Sequence, residues 1–149
     1  MCLELLLELA DDGAAGGALA DWGTGSGVLA IAAAKLGFGP VVGCDSELAA
    51  LEAAASNAGA NGVELELVRV NLRAEPPPYA PTVTANLTAP LLREVAARLE
   101  RSPECLACSG MLVSEVDEVV AAFAGVGLSE RKRRTSGDWA ALLLEARRG

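Results

Sequence analysis

Asp21-Trp22-Gly23-Thr24-Gly25-Ser26-Gly27 decides the fold. The stretch follows a short apolar run, Ala18-Leu19-Ala20, and opens a helix-like run from Val28 to Leu36. A strand that enters a Gly-rich turn and leaves as a helix is the pattern of a nucleotide-cofactor site. Gly permits the positive φ of such a turn and lets a ligand approach bare backbone. N–H groups left free at the helix start bind anionic or polar ligand groups.

The glycine spacing separates two cofactors. Dinucleotide sites carry G-x-G-x-x-G, whose backbone and helix dipole receive a pyrophosphate. Here glycines stand at 23, 25 and 27, and the strand before them ends in Asp21. A carboxylate there repels a pyrophosphate but suits an ammonium. S-adenosyl-L-methionine carries an ammonium, a sulfonium and a carboxylate, and no phosphate. A second acid agrees with it. Val41-Val42-Gly43-Cys44-Asp45 reads as the next strand, and Asp45 stands 22 residues beyond Gly23. An acid so placed sits at the strand tip and accepts bonds from both ribose hydroxyls. The residues favour S-adenosyl-L-methionine; the other readings are a nicotinamide or flavin site and a tight turn that holds no ligand.

Around this motif, strands and helices alternate. A helix over residues 1–10 sets Leu3, Leu6, Leu7 and Ala10 on one face. Strands are predicted at 19–21, 41–45, 64–70, 82–85, 105–109, 129–134 and 139–146, and further helices at 26–36, 47–60, 91–101 and 114–124. Residues 73–82 hold Pro76, Pro77, Pro78 and Pro81 and read as a loop. Thr135-Ser136-Gly137-Asp138 reads as a hairpin turn. Such alternation predicts one α/β domain: a mainly parallel seven-stranded sheet, helices on both faces and an antiparallel strand near the carboxyl end. Ligands of such sheets bind at the carboxyl ends of the strands, where strand order reverses. Asp21, Asp45, Asn71 and Asn86 all fall at or just after strand ends.

Length and composition bound the rest. The 149 residues suit one domain, and with 52% hydrophobic but 3% aromatic residues, Ala, Leu and Val must fill the core. No apolar stretch reaches the ~20 residues that span a bilayer. The first helix carries Glu4 and Glu8 without a basic leader, which does not read as a signal peptide, so a cytoplasmic protein without membrane partners is expected. A net charge of −8 argues against direct nucleic-acid binding. Six of the 12 basic residues, Arg131, Lys132, Arg133, Arg134, Arg147 and Arg148, crowd the end of the chain. They read as a solvated sheet edge or as a patch steering an acidic or RNA-associated substrate. Cys105-Leu-Ala-Cys108 matches C-x-x-C, but residues i and i+3 of a strand face opposite sides. The four cysteines therefore read as buried, inert thiols, no metal site is expected, and the absence of histidine excludes imidazole chemistry.

The chain resembles the class I S-adenosyl-L-methionine-dependent methyltransferases, with their Rossmann-like fold. More narrowly it resembles the bacterial enzymes that methylate amino groups of large-subunit ribosomal protein eleven. The matching segments include Cys2-Leu3-Glu4-Leu5-Leu6 and residues 21–37, 41–63, 85–92 and 109–128, with Gly137-Asp138-Trp139-Ala140 near the end. Asn86-Leu87-Thr88-Ala89 is the most family-specific of them. The resemblance implies that backbone at Gly23, Thr24 and Gly25, in the turn closed by Gly27, lies against the methionine part of the cofactor. It implies further that Asp21 organises the ammonium, Asp45 holds the ribose hydroxyls and Ser46 neighbours the adenosine. Asn71 with Leu72 replaces an acid that contacts the adenine amino group; the Asn oxygen can accept the same bond. Asn86 and Leu87 are the implied catalytic pair beside the transferred methyl, where the amide and backbone carbonyls hold an amine.

Each residue also has a plainer reading: Asp21 as a helix cap, Asp45 and Asn71 as turn or strand-end residues, Asn86 as the cap of the helix beyond Pro90. Family members carry an amino-terminal substrate-recognition domain and a Gly/Thr-rich segment before the first helix. Neither is found between Met1 and Gly149, so a catalytic domain alone is expected, as a piece of a longer chain. The expected reaction is methyl transfer from S-adenosyl-L-methionine to an amino group on a protein, such as a ribosomal protein, or on a small amine. The alternatives are a small-molecule or RNA methyltransferase on the same core, and a cofactor-binding module without turnover.

Overall fold

Seven strands and five α-helices alternate along residues 1–147, which the computed structural model describes. The elements are α1 (Cys2–Asp11), β1 (Leu19–Trp22), α2 (Val28–Lys35), β2 (Val41–Asp45), α3 (Leu48–Ala60) and β3 (Glu66–Arg69), followed by β4 (Thr82–Asn86), α4 (Ala89–Arg98), β5 (Cys105–Leu112), α5 (Val116–Ala124), β6 (Leu128–Ser136) and β7 (Trp139–Ala146). The sheet order is β3-β2-β1-β4-β5-β7-β6, with β7 antiparallel to both neighbours. This is the predicted class I Rossmann-like architecture. Strand order reverses between β1 and β4, which pair in parallel. A crevice opens there at the carboxyl ends of the strands.

Right-handed crossovers decide which face each helix covers. The chain steps from β1 to β2 to β3 in one direction, so α2 and α3 share a face, and α1 packs beside α2. It then steps from β4 to β5 in the other direction, which sends α4 to the opposite face, where α5 joins it. The main core lies on this second face, around Trp22, Leu92, Leu106, Met111 and Phe123. Smaller clusters lie under α1 and α2.

Several boundaries and faces differ from expectation for identifiable reasons. On α1 the buried stripe is Cys2, Leu5, Leu6 and Leu9, while Leu3 and Leu7 are exposed. Two apolar stripes satisfy helical spacing there. The buried one also turns Glu4, Glu8 and Asp12 toward β6, where Arg134, Lys132 and Arg131 pair with them. Arg133 pairs instead with Asp117 and Glu130. The basic cluster is therefore charge-matched over residues 131–134 and is not a free patch; Arg148 lies outside the described residues.

Helix α4 starts at Ala89, two residues earlier than expected, because Pro90 fits a first helical turn whose N–H groups need no partner. Strand β3 is trimmed to four residues at the sheet edge. Strand β5 runs on to Leu112 because a bulge at Gly110 lets pairing with β7 resume. The 114–124 helix begins as a 3-10 turn over Val113–Glu115. The proline-rich loop lies over the α4 face: Trp22 Nε1 donates to Pro78 O at 3.0 Å, and Leu72 and Ala80 join the main core. That loop closes the gap left where no helix connects β3 to β4.

Cys105 and Cys108 do pack on opposite faces. Cys2, Cys44 and Cys108 are buried, and burial raises their thiol pKa values, to about 11 for Cys2 and Cys44. Cys105 departs from the expectation, being only half-buried, although burial raises its thiol pKa as well. Among the described residues no helix is long and apolar enough to cross a membrane.

Candidate functional site

The turn after β1 is built from backbone that only glycine tolerates. Gly23, Gly25 and Gly27 all have positive φ, at 73°, 55° and 89°. At Gly27 an added Cβ would also come within 3.1 Å of Ala54 Cβ, so the glycine lets α2 and α3 pack closely. The turn is tied down by its neighbour strand. Thr24 N donates to Cys44 O at 2.8 Å, and Gly25 N donates to Asp45 Oδ2 at 2.9 Å. These two amides are engaged, so the free donors expected of the turn are not those of Thr24 and Gly25.

Asp21 lies beneath the turn, 2% exposed. Its Oδ2 accepts from Thr24 Oγ1 and its Oδ1 from Thr84 Oγ1, each at 2.8 Å. Thr84 reaches it because β4 pairs Thr84 directly with Asp21. Burial raises the Asp21 pKa to about 6 against the lowering effect of those two hydroxyls. Asp21 is no helix cap; it is a buried carboxylate that holds the Thr24 side chain and, through it, the turn.

Asp45 ends β2 and opens toward the crevice. Besides Gly25 N, it accepts from Glu47 N through Oδ1 at 3.0 Å. Each oxygen keeps a lone pair for a further donor. Asp45, Ser46, Asn71, Leu72, Gly23 and Leu87 line one crevice of about 170 Å³ at the switch point. Arg73, Val70 and Leu91 complete it. Asn71 is exposed, and its Oδ1 accepts from Arg73 N at 3.1 Å, closing a turn beyond β3. Leu72 is buried in the core and supports that turn.

Across the switch point, Asn86 ends β4. Its Oδ1 accepts from Ser109 Oγ at 3.2 Å, and Leu87 N donates to Ser109 O at 2.9 Å. Thr88, not Asn86, is the N-cap of α4. Gly110 of the β5 bulge, at φ 101°, comes so near that a Cβ would stand 2.5 Å from Leu87 O. The Leu87 side chain covers the bare face of Gly23, where a Cβ would meet its Cδ2 at 2.5 Å. Beyond Leu87 lies a second crevice of about 420 Å³, lined by Asn86, Leu87, Thr88, Ser109, Gly110 and Trp139 with Met1.

The structure thus gathers Gly23, Asp45, Ser46, Asn71, Leu72 and Leu87 in one crevice and Asn86 with Leu87 in the next. Thr24 and Asp21 are buried supports beneath them. Sequence reasoning missed Thr84, Ser109 and Gly110, which reach the site through strand pairing and leave no local signal. A larger groove of about 600 Å³, between the end of α2 and the start of β3, lies at the opposite end of the sheet. It holds none of these residues.

Comparison with known proteins identifies the family and the fold. The family model described as ribosomal protein L11 methyltransferase matches residues 1–147. A protein of that name from Geobacter metallireducens is 40% identical over 98% of this chain and 48% of its own length. The crystal structure of a ribosomal protein L11 methylase from Lactobacillus delbrueckii subsp. bulgaricus superposes with a TM-score of 0.87 at 26% identity, covering 99% of this chain and 78% of that one. A Pyrococcus abyssi tRNA (uracil-54, C5)-methyltransferase, solved with S-adenosyl-L-homocysteine, shares the fold: TM-score 0.74, 20% identity, 98% of this chain and 38% of that one. The chain spans about half the length of the relatives it matches.

Proposed function

We infer what the chain does from one premise: it belongs to the ribosomal protein L11 methyltransferase family. On that premise it is one S-adenosyl-L-methionine-dependent catalytic unit that methylates an amino group of a protein, a ribosomal protein being the acceptor its relatives' name supplies. The observation that carries this reading is the Asp45 carboxylate, half-buried at the end of β2 and hydrogen-bonded to the glycine turn at Gly25 N. The two ribose hydroxyls of an adenosine would donate to it, a contact that dinucleotide sites share; a diphosphate at the turn would in addition lie over the Asp21 carboxylate, buried directly beneath it. The residues present therefore fit the nucleoside of S-adenosyl-L-methionine.

Asp45 would hold the ribose, Ser46 and the Asn71–Leu72 turn would flank the adenine, and Gly23 would admit the methionine arm once the Leu87 side chain swings aside. When bound, the cofactor supplies an electrophilic methyl on a sulfonium, whose departure needs no acid. The protein's task is therefore positioning. Asn86 keeps one lone pair on Oδ1 beyond its bond to Ser109, and with the Leu87 carbonyl it can orient an amine toward the crevice. The chain has no histidine, so the amine's proton leaves to water or to a crevice carboxylate. Asn86 acts as an orienter, not as a base.

Calorimetric titration tests the reading. The chain should bind S-adenosyl-L-homocysteine and ignore NAD. Asp45→Ala removes two charge-assisted bonds and should weaken nucleoside binding by about 1.5–3 kcal/mol; unchanged affinity would refute the ribose role. Asn86→Ala should leave nucleoside affinity nearly intact while lowering transfer to an accepted protein by roughly one to two orders of magnitude. Equal loss of both would mean that Asn86 supports the fold and not the acceptor.

A further inference from the structure

The crevice wall assigned to the adenine stands at the edge of the sheet. Strand β3 has four residues, pairs only with β2 and is followed by no helix. Just beyond it the chain folds back at Asn71. Asn71 N donates to Glu75 Oε1 at 2.9 Å, and Asn71 O accepts from Ala74 N at 3.0 Å and Glu75 N at 2.8 Å. Pro76, Pro77 and Pro78 come next and have no N–H to give. Each also keeps the residue before it extended, so residues 75–77 cannot coil back onto β3. Side chains and carbonyl oxygens are what remain to tie this stretch to the domain.

One such tie comes from Trp22. Its indole is 1% exposed and shares the main core with Leu72 and Ala80, which flank the proline run. Nε1 donates to Pro78 O at 3.0 Å, across 56 residues. Further along, the Arg101 guanidinium lies over the Tyr79 ring at 3.9 Å, and Pro81 O accepts from Glu104 N and Cys105 N. Those contacts fasten the far end of the loop to the start of β5. The Trp22 bond runs instead to β1, one residue before Gly23. Gly23 and Asn71 line the same crevice of about 170 Å³, with Asp45 and Ser46. One indole therefore joins the turn assigned to the methionine arm to the wall assigned to the adenine.

We propose that Trp22 is a positioning residue for the cofactor: its bond to Pro78 O holds the Asn71–Leu72 turn at the spacing from Gly23 that one adenosine needs. The proposal rests on the nucleoside reading given above and adds to it a residue that touches no ligand. The prolines narrow the freedom of the loop, and the indole N–H selects one position within what is left. A turn held in place beforehand does not have to be ordered by the ligand, so the affinity is higher. A tryptophan that only packs makes a different prediction: its replacement lowers stability and leaves the affinity of the folded protein unchanged.

Calorimetry on the whole chain tests this, at a temperature where urea curves show each variant folded. Trp22→Phe keeps an aromatic ring in the core and removes the N–H. It should weaken S-adenosyl-L-homocysteine about threefold. It should weaken 5′-deoxy-5′-methylthioadenosine, which keeps the adenosine and lacks the amino-acid arm, by the same factor. Pro76 is exposed and Pro77 half-buried; replacing both by Gly loosens the loop and should weaken both ligands about twofold. Combining the three changes should weaken them about tenfold, more than the product of the separate losses, because either restraint alone still holds the turn for much of the time. Unchanged affinity in Trp22→Phe, unchanged affinity in the glycine pair, a loss confined to S-adenosyl-L-homocysteine, or a combined loss no larger than the product would overturn the clamp and leave the nucleoside reading standing. A parent chain that binds neither nucleoside overturns both.

Discussion

Gly110→Ala should destabilise the chain by about 2–5 kcal/mol, more than most exposed or half-exposed substitutions, and should disable the acceptor side of the site. Two effects add. At φ 101° an L-residue is strained by roughly 1–2 kcal/mol. The new Cβ would also stand 2.5 Å from Leu87 O, 2.9 Å from Asn86 Oδ1 and 3.0 Å from Leu87 C. Two of those three atoms are backbone, which cannot rotate away, so β5 and the β4–α4 connection must separate, at a cost typical of overpacking, about 1–3 kcal/mol. For a domain of this size that is a fall in Tm of roughly 10 °C. Separation breaks the Leu87 N–Ser109 O and Ser109 Oγ–Asn86 Oδ1 bonds, so methyl transfer should fall further than nucleoside affinity, which depends on Asp45. Urea unfolding and calorimetry on the same variant check both halves. Stability within about 0.5 kcal/mol of the parent would show that the bulge is not the rigid support described here.

What the sequence revealed and what it hid divide along sequence distance. The glycine turn, Asp45 and the strand ends were legible because each is a local pattern of turn residues next to an apolar run. The partners that make those residues into a site come from pairings between distant strands. Thr84 meets Asp21 across 63 residues, and Ser109 meets Asn86 across 23. No spacing rule announces them. The stripe of α1 was misread because two apolar faces satisfy the helical period, and the choice between them is made by bases lying 119 and 124 residues away. For the same reason the basic cluster left two readings open, a solvated sheet edge or a patch for an acidic substrate: the counter-charges of Arg131, Lys132 and Arg134 sit on or just after α1, at the other end of the chain. Trp139 fell in a segment that resembles the family, but its exposure beside the second crevice depends on the β5–β7 register, which only the fold supplies.

Asp21 combines legible position with hidden energetics, and its replacement by Asn should make the chain more stable at neutral pH. The folded-state pKa of about 6 lies above the ordinary carboxyl value of 3.8 because burial penalises the charge more than the Thr24 and Thr84 hydroxyls relieve it. The native state therefore binds the proton more tightly than the unfolded chain. This group's stabilisation is complete below about pH 4 and is lost as pH rises through about 6. A shift of that size corresponds to about 3 kcal/mol between those limits. Asparagine keeps the shape and carries no charge. Its oxygen accepts from one hydroxyl and its amide donates to the other, which rotates to receive it. Asp21→Asn should then gain about 1–3 kcal/mol over the parent at pH 7.5 and nothing, or a small loss, near pH 4. In the proposed function the same change has the opposite sign for the ligand. An ammonium near the turn favours ionised Asp21, so nucleoside affinity in the parent should rise between pH 5 and pH 7, while in Asp21→Asn it should stay flat and weaker. Denaturation curves at both pH values, with parallel calorimetry, read the two effects separately. A stability difference that is the same at pH 4 and pH 7.5 would mean that the buried carboxylate carries no such penalty.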